Sequence, residues 1–137
     1  MNDPRPAKKI VELVDKPAQD INVVYLGTAT YDIGVFKARQ TERFAELGCN
    51  VQSLDIANDD DGFSDAEINQ IIDQADVIVV GGGNTLYAVD RWRSLGIDDA
   101  LERAMMRGAV LSGGSCGAIS WFDGGHSSMF FSFCCFY

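Results

Sequence analysis

The segment Gly113-Gly114-Ser115-Cys116-Gly117-Ala118 places a serine two positions from a glycine on either side. An apolar run, Ala109-Val110-Leu111, precedes it, and Ile119-Ser120-Trp121-Phe122 can continue it as a helix. A strand, a sharp turn and a helix with serine at the apex is the G-x-S-x-G layout of a nucleophile elbow. Such a turn brings backbone so close to backbone that a Cβ at either flanking position would clash, hence glycine at both. The chemistry would be acyl transfer: the Ser115 hydroxyl attacks a carbonyl, and the N–H of Cys116, at the helix start, stabilises the oxyanion.

A second glycine cluster points the same way. Ala75-Asp76-Val77-Ile78-Val79-Val80 has the pattern of a buried strand and runs into Gly81-Gly82-Gly83-Asn84-Thr85 and a helix. In a parallel sheet, the carboxyl ends of neighbouring strands share one ligand-binding crevice. Gly82 or Gly83 could there supply a second oxyanion donor facing Ser115. Asn84 reads as the N-cap of the following helix.

With V-V-G-G-G-N-T-L at 79–86 and L-S-G-G-S-C-G-A-I-S-W-F at 111–122, residues 21–125 resemble the peptidase E family. The resemblance implies serine peptidases, aspartyl dipeptidases among them and cyanophycinases as relatives, on a class I glutamine amidotransferase-like fold. It implies Ser115 as nucleophile and a small peptide substrate, including dipeptides with N-terminal Asp. The family usually has alanine after the serine; Cys116 departs from that, with the oxyanion role resting on its backbone N–H. The family's base and acid come from segments further along than this chain reaches, so the sequence reads as partial at both ends. An inactive or non-catalytic ligand-binding member of the same fold is the alternative.

The sole histidine, His126, lies eleven positions after Ser115. A base must approach the hydroxyl within about 3.2 Å, or through one water. If the elbow helix runs to Asp123, it carries the chain roughly 12 Å away, and His126 is then a surface or structural residue before it is a base. Asp123 reads as a cap or solvated residue rather than a triad acid. Arg91 and Arg93 read as a solvated helix face, and Trp92 and Trp121 as core or lining.

The elements that must hold this site alternate along the chain. A short amphipathic helix around 10–14 ends before Pro17. A strand at 21–26 stops at Gly27, and a helix over 31–47, with Val35, Ala38, Phe44 and Leu47 at helical spacing, is capped by Gly48. A strand over 49–56 follows. Residues 58–62 are a solvated turn, not an EF-hand loop. Ser64 and Glu67 form a capping box that opens the helix carrying Ile68, Ile71 and Ile72. After the strand at 76–80 come helices over 84–93 and 97–107, then the elbow strand at 109–111. The pattern predicts one α/β domain: a three-layer αβα sandwich on a mostly parallel sheet, with the elbow strand central because its apolar run suits burial on both faces.

Composition narrows the partners. Of 137 residues, 47% are hydrophobic, enough for one core. A formal charge of −9 argues against nucleic acid and anionic membranes. No run approaches the ~20 apolar residues of a spanning helix, and residues 1–10 are not a signal peptide. The four cysteines have neither disulfide-framework nor metal-ligand spacing, which predicts a reducing, cytoplasmic setting with no metal or cofactor. Residues 129–137 hold four of the eight phenylalanines without any period, and read as an altered end or a terminal strand. Exposed, such a tail would favour aggregation or a homo-oligomer.

Overall fold

The computed structural model describes residues 3–59, 62–122, 124–127 and 132–135; for Cys116 and the last two of these stretches only the backbone path is described. Among the described residues, six α-helices and six strands follow the chain: α1 (Arg5–Val14), β1 (Asn22–Leu26), α2 (Gly34–Glu46), β2 (Asn50–Ser53), α3 (Asp65–Asp73), β3 (Val77–Val80), α4 (Thr85–Ser94), α5 (Ile97–Arg107), β4 (Val110–Gly113), α6 (Cys116–Ile119), β5 (Gly124–Ser127) and β6 (Ser132–Cys135).

The first four strands form one parallel sheet in the order β2-β1-β3-β4, with Val23 opposite Val77 and Val80 opposite Gly113. Side chains alternate across a strand, so β1 and β3 feed two cores. Val24, Leu26, Ile78 and Val80 pack with Ile68, Ile72, Trp92 and Leu101 from α3, α4 and α5. Val23, Tyr25, Val77 and Val79 pack with Ala7 of α1 and Phe44 of α2. The sheet therefore lies between two helical layers, as the alternating pattern predicts. β5 and β6 form a separate antiparallel pair, with His126 opposite Phe133.

Local chemistry sets the element ends. Ser64 accepts from Glu67 N while the Glu67 carboxylate accepts from Ser64 N (2.9 Å), the predicted capping box. Gly48 and Gly108 follow their helices with φ of +91° and +95°, a region that disfavours any Cβ. Trp92 is buried and Trp121 is partly buried against the core. Among the described residues, no helix is long and apolar enough to cross a membrane.

Several expectations change. The elbow strand β4 is not central: it ends the four-stranded sheet, and all four of its residues are half-buried where those of β3 are buried. Its apolar run still packs on both faces, Leu111 against the core under α3, α4 and α5 and Val110 against the core under α1 and α2, with β3 as its strand neighbour among the described residues. The helix after the elbow spans one turn and stops well short of Asp123. Asp123 and residues 128–131, 136 and 137 lie outside the described residues, as do the Asp60 and Asp61 of the 58–62 turn; a strand at 132–135 does occur within the hydrophobic tail. In α2, Phe44 is buried but Val35 and Leu47 of the expected stripe are exposed. Arg91 is not on a solvated face: Nε donates to the Ile56 carbonyl (2.9 Å) and Nη1 pairs with Asp59 (2.6 Å), tying α4 to the chain after β2.

Candidate active site

Two turns stand side by side where β3 and β4 end. Val80 and Gly113 are register partners, and Gly81 N donates to the Leu26 carbonyl (2.9 Å). The turn after β3 is thereby anchored to β1, and the turn after β4 to β3. Three positions at this junction have no room for a side chain. A Cβ on Gly113 would lie 2.5 Å from the Gly117 carbonyl. One on Gly117 would overlap the Val80 carbonyl oxygen and approach that of Gly81 to 2.7 Å. One on Gly82 would stand 2.8 Å from the Gly114 oxygen and 3.2 Å from the Ser115 Cβ. The glycines at both flanks of the elbow are thus required by backbone contact.

Ser115 sits at the apex with φ of +55° and is exposed. A serine in this left-handed region costs roughly 1–2 kcal/mol relative to ordinary backbone. The surroundings hold it there. Gly117 N donates to the Gly114 carbonyl and Ala118 N to the Ser115 carbonyl, both at 3.0 Å. The buried Ser120 hydroxyl donates to the Gly117 carbonyl (2.8 Å), and Trp121 Nε1 donates to the Ser112 carbonyl (3.0 Å). The Ser120 bond closes the turn of α6 on itself, and the Trp121 bond ties the residue after that turn to β4; the second was not legible in the motif, because it depends on the chain folding back after Ile119.

The other side of the glycine turn is built from the chain after β1. Gly83 has φ of +138°, and a Cβ there would overlap the Ala29 carbonyl oxygen, to which Asn84 N donates (2.8 Å). Asn84 is the N-cap: its Oδ1 accepts from Tyr87 N (3.2 Å). Its Nδ2 donates to the Tyr31 hydroxyl (3.2 Å), and the Tyr31 ring meets that of Tyr87 with centroids 4.8 Å apart. Trp92 Nε1 donates to the buried Thr28 hydroxyl (3.1 Å), locking α4 onto the same loop. Beneath, the phenol of Tyr25 is 1% exposed and points at Gly81, where a Cβ would come within 2.6 Å of its oxygen. Burial pushes that phenol above its ordinary value, and the nearby Thr30 hydroxyl only partly opposes this.

The structure brings together Ser115, Gly82 and, one residue on, Gly83; Cys116 opens α6 directly after the serine. His126 lies in β5, which packs beside α6. The one-turn α6 is shorter than the helix to Asp123 expected from the sequence. A cavity of about 140 Å³ between α4, α5 and Trp121 is lined by neither glycine turn nor Ser115. Among the described residues, no cluster of His, Cys, Asp or Glu could hold a metal ion.

Residues 4–131 match the model of peptidase family S51. The chain belongs to this family. It is 32% identical over 103 residues to YgaJ, an uncharacterised peptidase of Bacillus subtilis, across 75% of this chain and 43% of that protein. In structure it is similar to a Listeria monocytogenes EGD-e protein named as a candidate peptidase E, with a TM-score of 0.71 at 24% identity, over 86% of this chain and 57% of that one. It is similar as well to a peptidase from an acI-B1 Actinobacterium, with a TM-score of 0.73 at 18% identity, over 90% and 52%. At these identities the two structures bear on the fold alone. The chain spans about half the length of the relatives it matches.

Proposed function

We propose that this S51 member is a serine peptidase in which Ser115 is the nucleophile. The observation that carries the reading is the left-handed, exposed Ser115 wedged against Gly82, between two flanks that admit only glycine. Backbone strain at an exposed polar side chain persists where the surroundings impose it, and such places concentrate at reactive sites. In the reaction, Ser115 Oγ forms a bond to the scissile carbonyl carbon as its proton passes to a base. The oxyanion accepts from the N–H of Cys116 and that of Gly82 or Gly83. The C–N bond breaks as the amine takes a proton, and water then releases the acyl group. By family resemblance the base and acid come from segments further along; His126, the sole histidine of this sequence, is a surface or structural residue before it is a base. By family resemblance the substrate is a small peptide, with N-terminal Asp dipeptides the first to assay. A reducing, cytoplasmic setting fits a buried free thiol at Cys49.

The competing reading, a non-catalytic anion-binding module at the start of α4, is disfavoured by the same geometry. Asn84 Oδ1 already accepts from Tyr87 N, one of the donors such an anion would use. A fluorophosphonate probe should label the native chain at Ser115 and fail on Ser115→Ala. Absence of labelling in a chain that melts cooperatively would overturn the nucleophile assignment.

A further inference from the structure

Tyr31 and Asp32 are consecutive non-glycine residues in the left-handed region, with φ of +54° and +56°. Both lie in the chain after β1, and each departs from ordinary backbone at a cost. The Asp32 carboxylate holds the pair in place: Oδ2 accepts from Ile56 N (2.8 Å) and Ala57 N (2.7 Å), while Asp32 N donates to the Gly27 carbonyl (3.1 Å). This device places the Tyr31 ring, about half exposed, against Tyr87 and beside Asn84. Gly82, two residues before Asn84, is the residue that abuts Ser115.

The proton on the Tyr31 hydroxyl can be placed by elimination. Asn84 Oδ1 is committed to Tyr87 N, which fixes the orientation of the amide, so Nδ2 faces the phenol. An amide NH₂ only donates. The phenol oxygen therefore accepts, and its own hydrogen must point elsewhere. Among the described residues no hydrogen bond joins the Tyr31 hydroxyl to that of Tyr87, which donates to the Ala57 carbonyl (2.6 Å). A half-exposed phenol, buttressed on a second ring and held with its O–H free to donate beside the glycine turn, is suited to an acceptor oxygen of a bound molecule.

We propose that Tyr31 is a specificity-determining residue that donates a hydrogen bond to an oxygen of the bound peptide, carbonyl or carboxylate, with Asn84 orienting it. The inference rests on the peptidase reading for the identity of the ligand but not for its geometry. It is tested by calorimetric titration of the Ser115→Ala chain with an Asp-Ala dipeptide and with its C-terminal amide. Tyr31→Phe, which keeps the ring and removes the donor, should raise Kd about three- to tenfold. Asn84→Asp keeps the capping oxygen but turns the phenol proton inward; it should raise Kd of the neutral amide similarly, and adding Tyr31→Phe to it should cost nothing more. Discrimination between the free acid and the amide that vanishes in Tyr31→Phe identifies a carboxylate as the acceptor, whereas an equal loss for both identifies a carbonyl. Unchanged Kd for both ligands in Tyr31→Phe, or no binding by the parent at millimolar dipeptide, overturns the proposal. Fluorophosphonate labelling separates the two readings: labelling with an unchanged Tyr31→Phe Kd removes only this one, and a raised Kd without labelling removes only the nucleophile.

Discussion

Gly82 is the residue at which backbone geometry and chemistry meet most closely. A methyl group there would stand 2.8 Å from the Gly114 oxygen and 3.2 Å from the Ser115 Cβ, so one of the two glycine turns must move. Gly82→Ala should lower stability by about 1–3 kcal/mol and slow probe labelling of Ser115 at least tenfold, read by thermal melting and labelling kinetics. Gly34→Ala is the control: nothing lies within 4 Å of a Cβ there, at the start of α2, and both readouts should hold or improve. At this scale the elbow was legible because clash with neighbouring backbone leaves its mark in residue type. Tyr31 was not. A tyrosine and an aspartate carry no sign that they adopt positive φ, and the partners that hold them, Ile56, Ala57 and Asn84, come from distant parts of the chain.

Among the elements, α3 depends most plainly on local sequence. Ser64 and Glu67 satisfy one another's backbone donors at an exposed end. Ser64→Ala should therefore cost about 1 kcal/mol, visible as a lower melting temperature with no change in dipeptide binding. Elements whose limits follow from caps and glycines, such as α3, α4 and α5, matched their expected positions closely. Those whose limits follow from packing did not. The 3₁₀ turn at Thr28–Thr30 and the left-handed pair after it delay α2 until Gly34, and α6 spans one turn, after which Trp121 bonds back to Ser112 of β4. Apolar spacing in α2 suggested a buried stripe, yet of α2 only Phe44 is buried, packing with Tyr25, Val77 and Val79.

For the molecule as a whole, the buried Tyr25 phenol makes stability depend on alkaline pH. Its pKa is raised above 10 in the folded state because burial disfavours the phenolate. The unfolded chain releases this proton near 10, the folded chain only higher. Stability is therefore fully present below pH 10 and declines as pH rises from there through the folded value. Tyr25→Phe should flatten that decline, measured as melting temperature between pH 9 and 11. At pH 7 it should change little, since the buried hydroxyl has no hydrogen bond of good geometry to lose. An equally steep decline in the variant would assign it to other groups. Because the phenol lies under Gly81, the same titration should be felt at the glycine turn.

The order of elements, the parallel sheet between two helical layers, the capping box and the elbow's glycines all followed from the chain read as a string. Each is governed by contacts within a few residues or by the simple alternation of strand and helix. What the folded molecule alone decided was adjacency between distant segments: β4 at the end of the sheet rather than its middle, Gly82 against Ser115, Tyr31 turned toward Asn84, and β5 beside a shortened α6. Except for α6 and β5, which are neighbours in the chain, those contacts join residues tens of positions apart. Their energies depend on how two helical layers settle on one twisted sheet, which no local pattern encodes.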